Sequence, residues 1–131
     1  MKSLSVPCRI ISVKNTALTH GENKQRIDDV TQNLKVLNIP YLLAKGKTET
    51  LRDEDTEELL IIPESNNNIA DVIVGLYDLK TYIKYHHDSF CELVSIGSDK
   101  TYAMGYLKTT TAPDQNEFYL ELDGTKYRFI K

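Results

Sequence analysis

Tryptophan is absent, and there are only two cysteines and four prolines in 131 residues. No apolar run approaches the ~20 residues that span a bilayer. The longest, Leu59–Pro63, is the size of a strand. Met1–Pro7 has one lysine and no apolar core, so it does not read as a signal peptide. Cys8 and Cys91 each lie in an apolar stretch and read as buried thiols. A secreted scaffold of this size carries more cysteine, so the expected location is the cytoplasm. No CxxC or HxxxH spacing occurs, so no metal site is expected. P-loop, GxGxxG, GxSxG and HExxH patterns are also missing, which argues against a Rossmann methyltransferase.

What is present fits one globular domain over residues 1–131. Hydrophobic residues are 40% and charged residues 27% of the chain, which excludes a disordered tail or a fibre. The net charge of −3 argues against a general nucleic-acid binder and leaves room only for a local basic patch.

Pro7–Val13 reads as a first strand. Thr19 and Glu22 have the spacing of a capping box, and Ile27, Val30, Leu34 and Leu37 follow as one helical stripe. Asn38 and Pro40 stop that helix. Ile39–Ala44 reads as a strand broken by Gly46, Lys47–Thr56 as a polar loop, and Leu59–Pro63 as a central strand apolar on both faces. Asn66, Asn67 and Asn68 offer caps for a second helix, with a stripe running from Ile69 to Ile83 and an end near Tyr85. Ser89–Ile96 and Thr101–Thr109 read as strands, the latter with a bulge at Gly105. Glu117–Leu122 and Thr125–Ile130 flank Asp123-Gly124, a strong hairpin signal. The expected order is β-α-β-β-α-β-β-β-β. The expected fold class is α+β, a mixed, mostly antiparallel sheet of about six or seven strands with two helices packed on one face. A parallel crossover is expected over the first strand, helix and second strand. The late strands leave an edge open to a second copy.

This order of features resembles the phage S-adenosylmethionine lyases, formerly called hydrolases, and a related bacterial domain family of unknown function. The resemblance covers nearly the whole chain. It is carried by Ile10-Ile11-Ser12, by Glu22-Asn23 with Arg26, and by Glu57-Glu58 running into Leu59–Ile62. Asp88 before Ser89–Val94 and the Asp123-Gly124 hairpin complete it. It implies cleavage of S-adenosylmethionine to methylthioadenosine and homoserine lactone by the substrate's own carboxylate. It further implies no resident cofactor, an anti-restriction role, and a homo-oligomer, a trimer, with sites between subunits. One departure stands out: Gly46–Glu57 has no tyrosine, and Leu51 falls where the family has one. That departure supports a second expectation, a non-catalytic phage accessory protein acting by binding a host or phage protein.

Four constellations can carry chemistry. Asp53–Glu58 holds five carboxylates; it reads either as a solvated loop or as the place where Glu57 or Glu58 faces a cationic ligand. Lys84–Asp88 holds adjacent histidines, which read as helix C-terminal or surface groups, and Asp88, a turn residue or the family's second acid. Ser12, Lys14, Asn23 and Arg26 lie at the first strand–helix passage and suit a substrate carboxylate; the plainer reading is a cap plus a Glu22–Arg26 ion pair. Tyr102 and Tyr106 read as half-buried sheet tyrosines or as a stacking surface for adenine or sulfonium. The candidate catalytic residues are therefore Glu57, Glu58 and Asp88. The candidate substrate-binding residues are Ser12, Lys14, Asn23, Arg26, Tyr102 and Tyr106.

Overall fold

Residues 59–62 are apolar at every position, and the structure uses both sides of them. Leu59 and Ile61 point into one buried cluster, Leu60 and Ile62 into another. The computed structural model describes residues 6–15, 17–47, 57–98, 100–110 and 119–130, with Lys47 and Glu57 described by backbone alone. Its elements are β1 (Cys8–Ile11), α1 (His20–Val36), β2 (Leu42–Lys47), β3 (Glu57–Pro63), a 3-10 turn (Glu64–Asn66), α2 (Asn67–Leu76), β4 (Thr81–Tyr85), β5 (Phe90–Ser95), β6 (Lys100–Thr110), β7 (Tyr119–Leu122) and β8 (Thr125–Ile130).

The eight strands close into a barrel in the order β1-β3-β2-β7-β8-β6-β5-β4. Every pairing is antiparallel. The open mixed α+β sheet expected from the sequence is therefore overturned. β1 and β2 do not pair across a parallel crossover, because β3 lies between them and is antiparallel to both. Closure also leaves no open sheet edge among the described strands for a second copy to extend.

A strand alternates its side chains between two faces, and here one face is the barrel interior. Cys8, Ile10, Ala44, Leu59, Ile61 and Leu120 help fill it. The second cluster lies outside, over β1 and β3. There Ile27, Val30 and Leu34 of α1 and Ala70 and Ile73 of α2 cover Ile11, Leu60 and Ile62. Arg9 ties β1 to α2 through Asp71 and lies 4.6 Å from the Tyr82 ring centre.

The first helix forms where its signals place it. Thr19 is the N-cap, and Glu22 returns the bond to the Thr19 backbone, completing the capping box. Asn38, at φ 57°, turns the chain out of the helix. The second helix is shorter than its apolar stripe suggests. It ends at Leu76, Asp78 takes a left-handed φ of 52°, and Thr81–Tyr85 runs on as β4. The reason is local: Thr81, Tyr82, Ile83 and Tyr85 are β-branched or aromatic and favour a pleated surface. Ile83 joins the interior cluster, not a helical stripe. Val72 and Leu76 of that stripe are 62% and 71% exposed. The histidines expected at a helix C-terminus consequently lie in the β4–β5 turn.

Gly46 does not break β2; it sits within the strand. An added Cβ there would lie 2.3 Å from Leu59 Cδ1 and 3.2 Å from the Tyr119 carbonyl oxygen, so the tight interior selects glycine. The bulge falls at the expected place, with the β5–β6 register shifting between Cys91, opposite Gly105, and Glu92, opposite Ala103. Asp123 and Gly124 have φ of 52° and 78°. Two positive values are the mark of a type I′ hairpin, which matches the twist of its strands.

Candidate functional site

The end of β1, the face of α1 and the outer sides of β2 and β3 enclose a cleft of about 180 Å³. Val13, Lys14, His20, Asn23, Lys24, Ile27, Lys45 and Glu58 line it. The sequence explains the convergence. His20, Asn23, Lys24 and Ile27 recur at helical spacing and share one face of α1. Leu59 and Ala44 face the barrel interior, so their neighbours Glu58 and Lys45 face out, and the two are paired in register.

Three of the sequence candidates meet here: Lys14, Asn23 and Glu58. Their partners define their roles. Asn23 Oδ1 accepts from the Asn15 backbone N–H at 2.8 Å, and its amide nitrogen donates to the carbonyl oxygen of Asn15 at 3.0 Å. Asn23 thus fastens the strand–helix connection and uses its polar atoms on backbone. Ser12 Oγ accepts from the Lys14 N–H at 3.3 Å and shapes the same turn. Glu58 accepts from Lys24 Nζ at 3.3 Å, and Lys24 also reaches Asp28 at 3.4 Å. The Lys24 ammonium is held above its usual range by the bond to Glu58 first and by Asp28 after it. Among the described residues the cleft therefore carries three lysines around one carboxylate.

The remaining candidates lie elsewhere. Arg26 donates to the Tyr77 carbonyl oxygen at 3.3 Å and lies 4.7 Å from that ring's centre. It fastens α1 to the end of α2. Glu22 serves the capping box and not an ion pair with Arg26. Asp88 accepts from the Phe90 N–H at 3.1 Å in the β4–β5 turn. Registers set Asp88 apart from Glu58: Cys8 pairs with both Tyr85 and Pro63, whereas Ile11 pairs with Leu60. Within one chain the two acids lie toward opposite ends of the barrel. Tyr102 and Tyr106 lie on β6, 54% and 41% exposed, on a different wall from the cleft. Glu57 is in β3, opposite Gly46. Residues 53–56 of the acidic run, and Leu51, lie outside the described residues.

Sequence reading missed Lys24, Lys45 and His20. The first and last were legible as helix neighbours of Asn23 and Ile27; Lys45 required knowing that β2 pairs with β3. Among the described residues no helix is long and apolar enough to cross a membrane, and no group of three or more His, Cys, Asp or Glu is arranged to hold a metal ion. No protein-family model and no curated protein matches this chain.

Proposed function

We propose that the cleft binds the amino-acid end of S-adenosylmethionine and that the protein is a cytoplasmic phage-type lyase acting on it. The observation that supports this is the meeting of Lys14 and Glu58, both nominated by the sequence, in one cleft with Lys24 and Lys45. Lys14 and Lys45 offer cations for the substrate carboxylate, and Glu58 a carboxylate for its ammonium or sulfonium. At about 180 Å³ the cleft suits the methionine portion; sites that enclose a whole ligand of drug size start near ~300 Å³. The nucleoside end then lies outside it, where a second copy of the chain would cover it. Such a copy is also the one that can bring its Asp88 toward Glu58.

In the reaction a substrate carboxylate oxygen bonds to the γ-carbon. The bond from that carbon to sulfur breaks, and its electron pair neutralises the sulfonium, giving methylthioadenosine and homoserine lactone. No proton moves and no protein nucleophile takes part. The residues hold the two ends in line, and exclusion of water favours the cancellation of opposite charges. Depletion of the methyl donor would supply the anti-restriction role.

The test is incubation of the purified protein with S-adenosylmethionine and chromatography of the products. Methylthioadenosine is expected, with strong loss in Glu58→Gln and in Lys14→Met and little loss in Arg26→Lys. Absence of methylthioadenosine from folded protein would overturn the reading and turn attention to a non-catalytic protein that binds a host or phage partner.

A further inference from the structure

The lysines of the cleft are not equivalent. Lys24 is bonded to Glu58 at 3.3 Å and to Asp28 at 3.4 Å. The ammonium groups of Lys14 and Lys45 have no ion-pair or hydrogen-bond partner among the described residues. Each reaches the cleft for a local reason. Lys14 follows Val13, which packs into the cluster under α1, and its backbone N–H is held by the Ser12 hydroxyl at 3.3 Å. Lys45 follows Ala44, which faces the barrel interior, so strand alternation turns it outward. It stands in register between Glu58 of β3 and Glu121 of β7. Each of those acids has a cation on its other side: Lys24 bonds Glu58, and Lys126 of β8 stands in register with Glu121. Lys45 is thus flanked by acids and bonded to neither.

Two ammonium groups lining one cleft repel each other, and an anion between them removes the repulsion. An α-carboxylate is such an anion, with one oxygen for each lysine. In the lyase reaction that carboxylate is also the nucleophile. One of its oxygens bonds to the γ-carbon, and the group becomes a ring ester without negative charge. The reaction therefore erases the group that the lysines hold. The lactone keeps only the amine, which two ammonium groups do not attract, and methylthioadenosine has lost the amino-acid end altogether. A subsite of this kind separates substrate from both products by charge, with repulsion against the wrong ligand built in.

We propose that Lys45 and Lys14 form a subsite specific for a free α-carboxylate, so that ring closure itself ejects the lactone. This role makes Lys45 a specificity residue, and it rests on the S-adenosylmethionine reading of the cleft.

The experiment is isothermal titration calorimetry of the full chain with small ligands, run beside the turnover assay. Methionine and homoserine keep the carboxylate; methionine methyl ester and freshly dissolved homoserine lactone do not. The first two should bind, and the last two should bind about tenfold more weakly or less, the cost of lost charge-assisted hydrogen bonds. Lys45→Met should weaken methionine about tenfold and leave the ester unaffected. Lys45→Arg should bind methionine as wild type does, and circular dichroism should show both variants folded. In turnover, homoserine should compete with substrate and fresh lactone should not. Failure of methionine and homoserine to bind overturns the proposal. So does lactone or ester bound as tightly as its carboxylate counterpart, or methionine binding indifferent to Lys45→Met. Inorganic phosphate bound as tightly as methionine, and weakened equally by Lys45→Met, would also overturn it, because the lysines would then form a general anion site. Any of these results with methylthioadenosine still released leaves the lyase reading in place. Carboxylate-selective binding that Lys45→Met removes, in a protein that releases no methylthioadenosine, supports the subsite and overturns the lyase reading alone.

Discussion

Lys24 stands between Glu58 of β3 and Asp28 one turn further along its own helix, 3.3 Å from the first and 3.4 Å from the second. It occupies the one carboxylate that lines the cleft among the described residues with an internal cation. A positively charged ligand must displace it. On the S-adenosylmethionine reading, Lys24→Met should lower KM and leave kcat nearly unchanged, measured by initial rates of methylthioadenosine release. The ammonium is held above its usual value of 10.5. Its contribution to stability is therefore complete below that pH and is lost as pH rises through the folded value. The gap in urea midpoint between wild type and Lys24→Met should accordingly be open at neutral pH and close in strong alkali.

The capping box gives the opposite dependence. The Thr19 backbone N–H, and after it the Thr19 hydroxyl, hold the Glu22 carboxyl below its usual 4.5. A lowered value contributes stability that is complete above the unfolded pKa and disappears as pH falls through the folded one. Glu22→Gln should flatten the acid limb of the stability curve. Thr19→Ala should cost about 1 kcal/mol at neutral pH, read from urea denaturation.

Burial pushes the thiols of Cys8 and Cys91 up to about 12 from the usual 9.0. Both stand opposite Tyr85, on the strands flanking β4. Two strand spacings is roughly 10 Å between α-carbons, beyond the ~7 Å limit for a disulfide. Neither thiol should react with a chromogenic disulfide reagent at mildly alkaline pH until denaturant is added, and then both should. A raised value means stability complete below about 9 and falling as pH climbs toward 12. The double variant Cys8→Ala and Cys91→Ala should show a shallower alkaline fall in denaturant midpoint.

Gly46→Ala should destabilise by about 1–3 kcal/mol, the usual range for overpacking an interior. The new methyl meets Leu59 Cδ1 and the Tyr119 carbonyl oxygen. Leu59→Val withdraws the first of these and not the second. The double variant should therefore be more stable than the sum of the two losses, but less stable than wild type, as a thermal-denaturation cycle would show.

What the sequence reveals of this fold is its local chemistry. The capping box at Thr19, the bulge beside Gly105 and the turn at Asp123-Gly124 are each encoded within a few residues. The β4 strand was hidden because Ile83 continues the apolar spacing of α2, and the four residues between them turn the chain through Asp78 in a left-handed conformation. Closure was hidden for another reason. The pairings of β2 with β7 and of β1 with β4 join segments far apart in the chain, and no local pattern records a partner's identity. The site followed the same division. Lys14 and Asn23 were legible because they flank a cap, whereas Lys45 enters the cleft only through pairing between strands. Arg26 and Asp88 carry residue types suited to chemistry, yet their bonds in this chain go to the Tyr77 carbonyl and the Phe90 N–H.

The seam between β2 and β7 has a consequence for how the chain comes to be folded. β2 is synthesised long before residues 119–122 exist, so one of its edges must wait unpaired until those residues have left the ribosome. Long-range closure of this kind places such a protein among the slower folders, in the range of milliseconds to seconds. The segment at risk in that interval is Leu42–Lys47, and its two lysines, Lys45 and Lys47, are the residue type that keeps a waiting strand from aggregating.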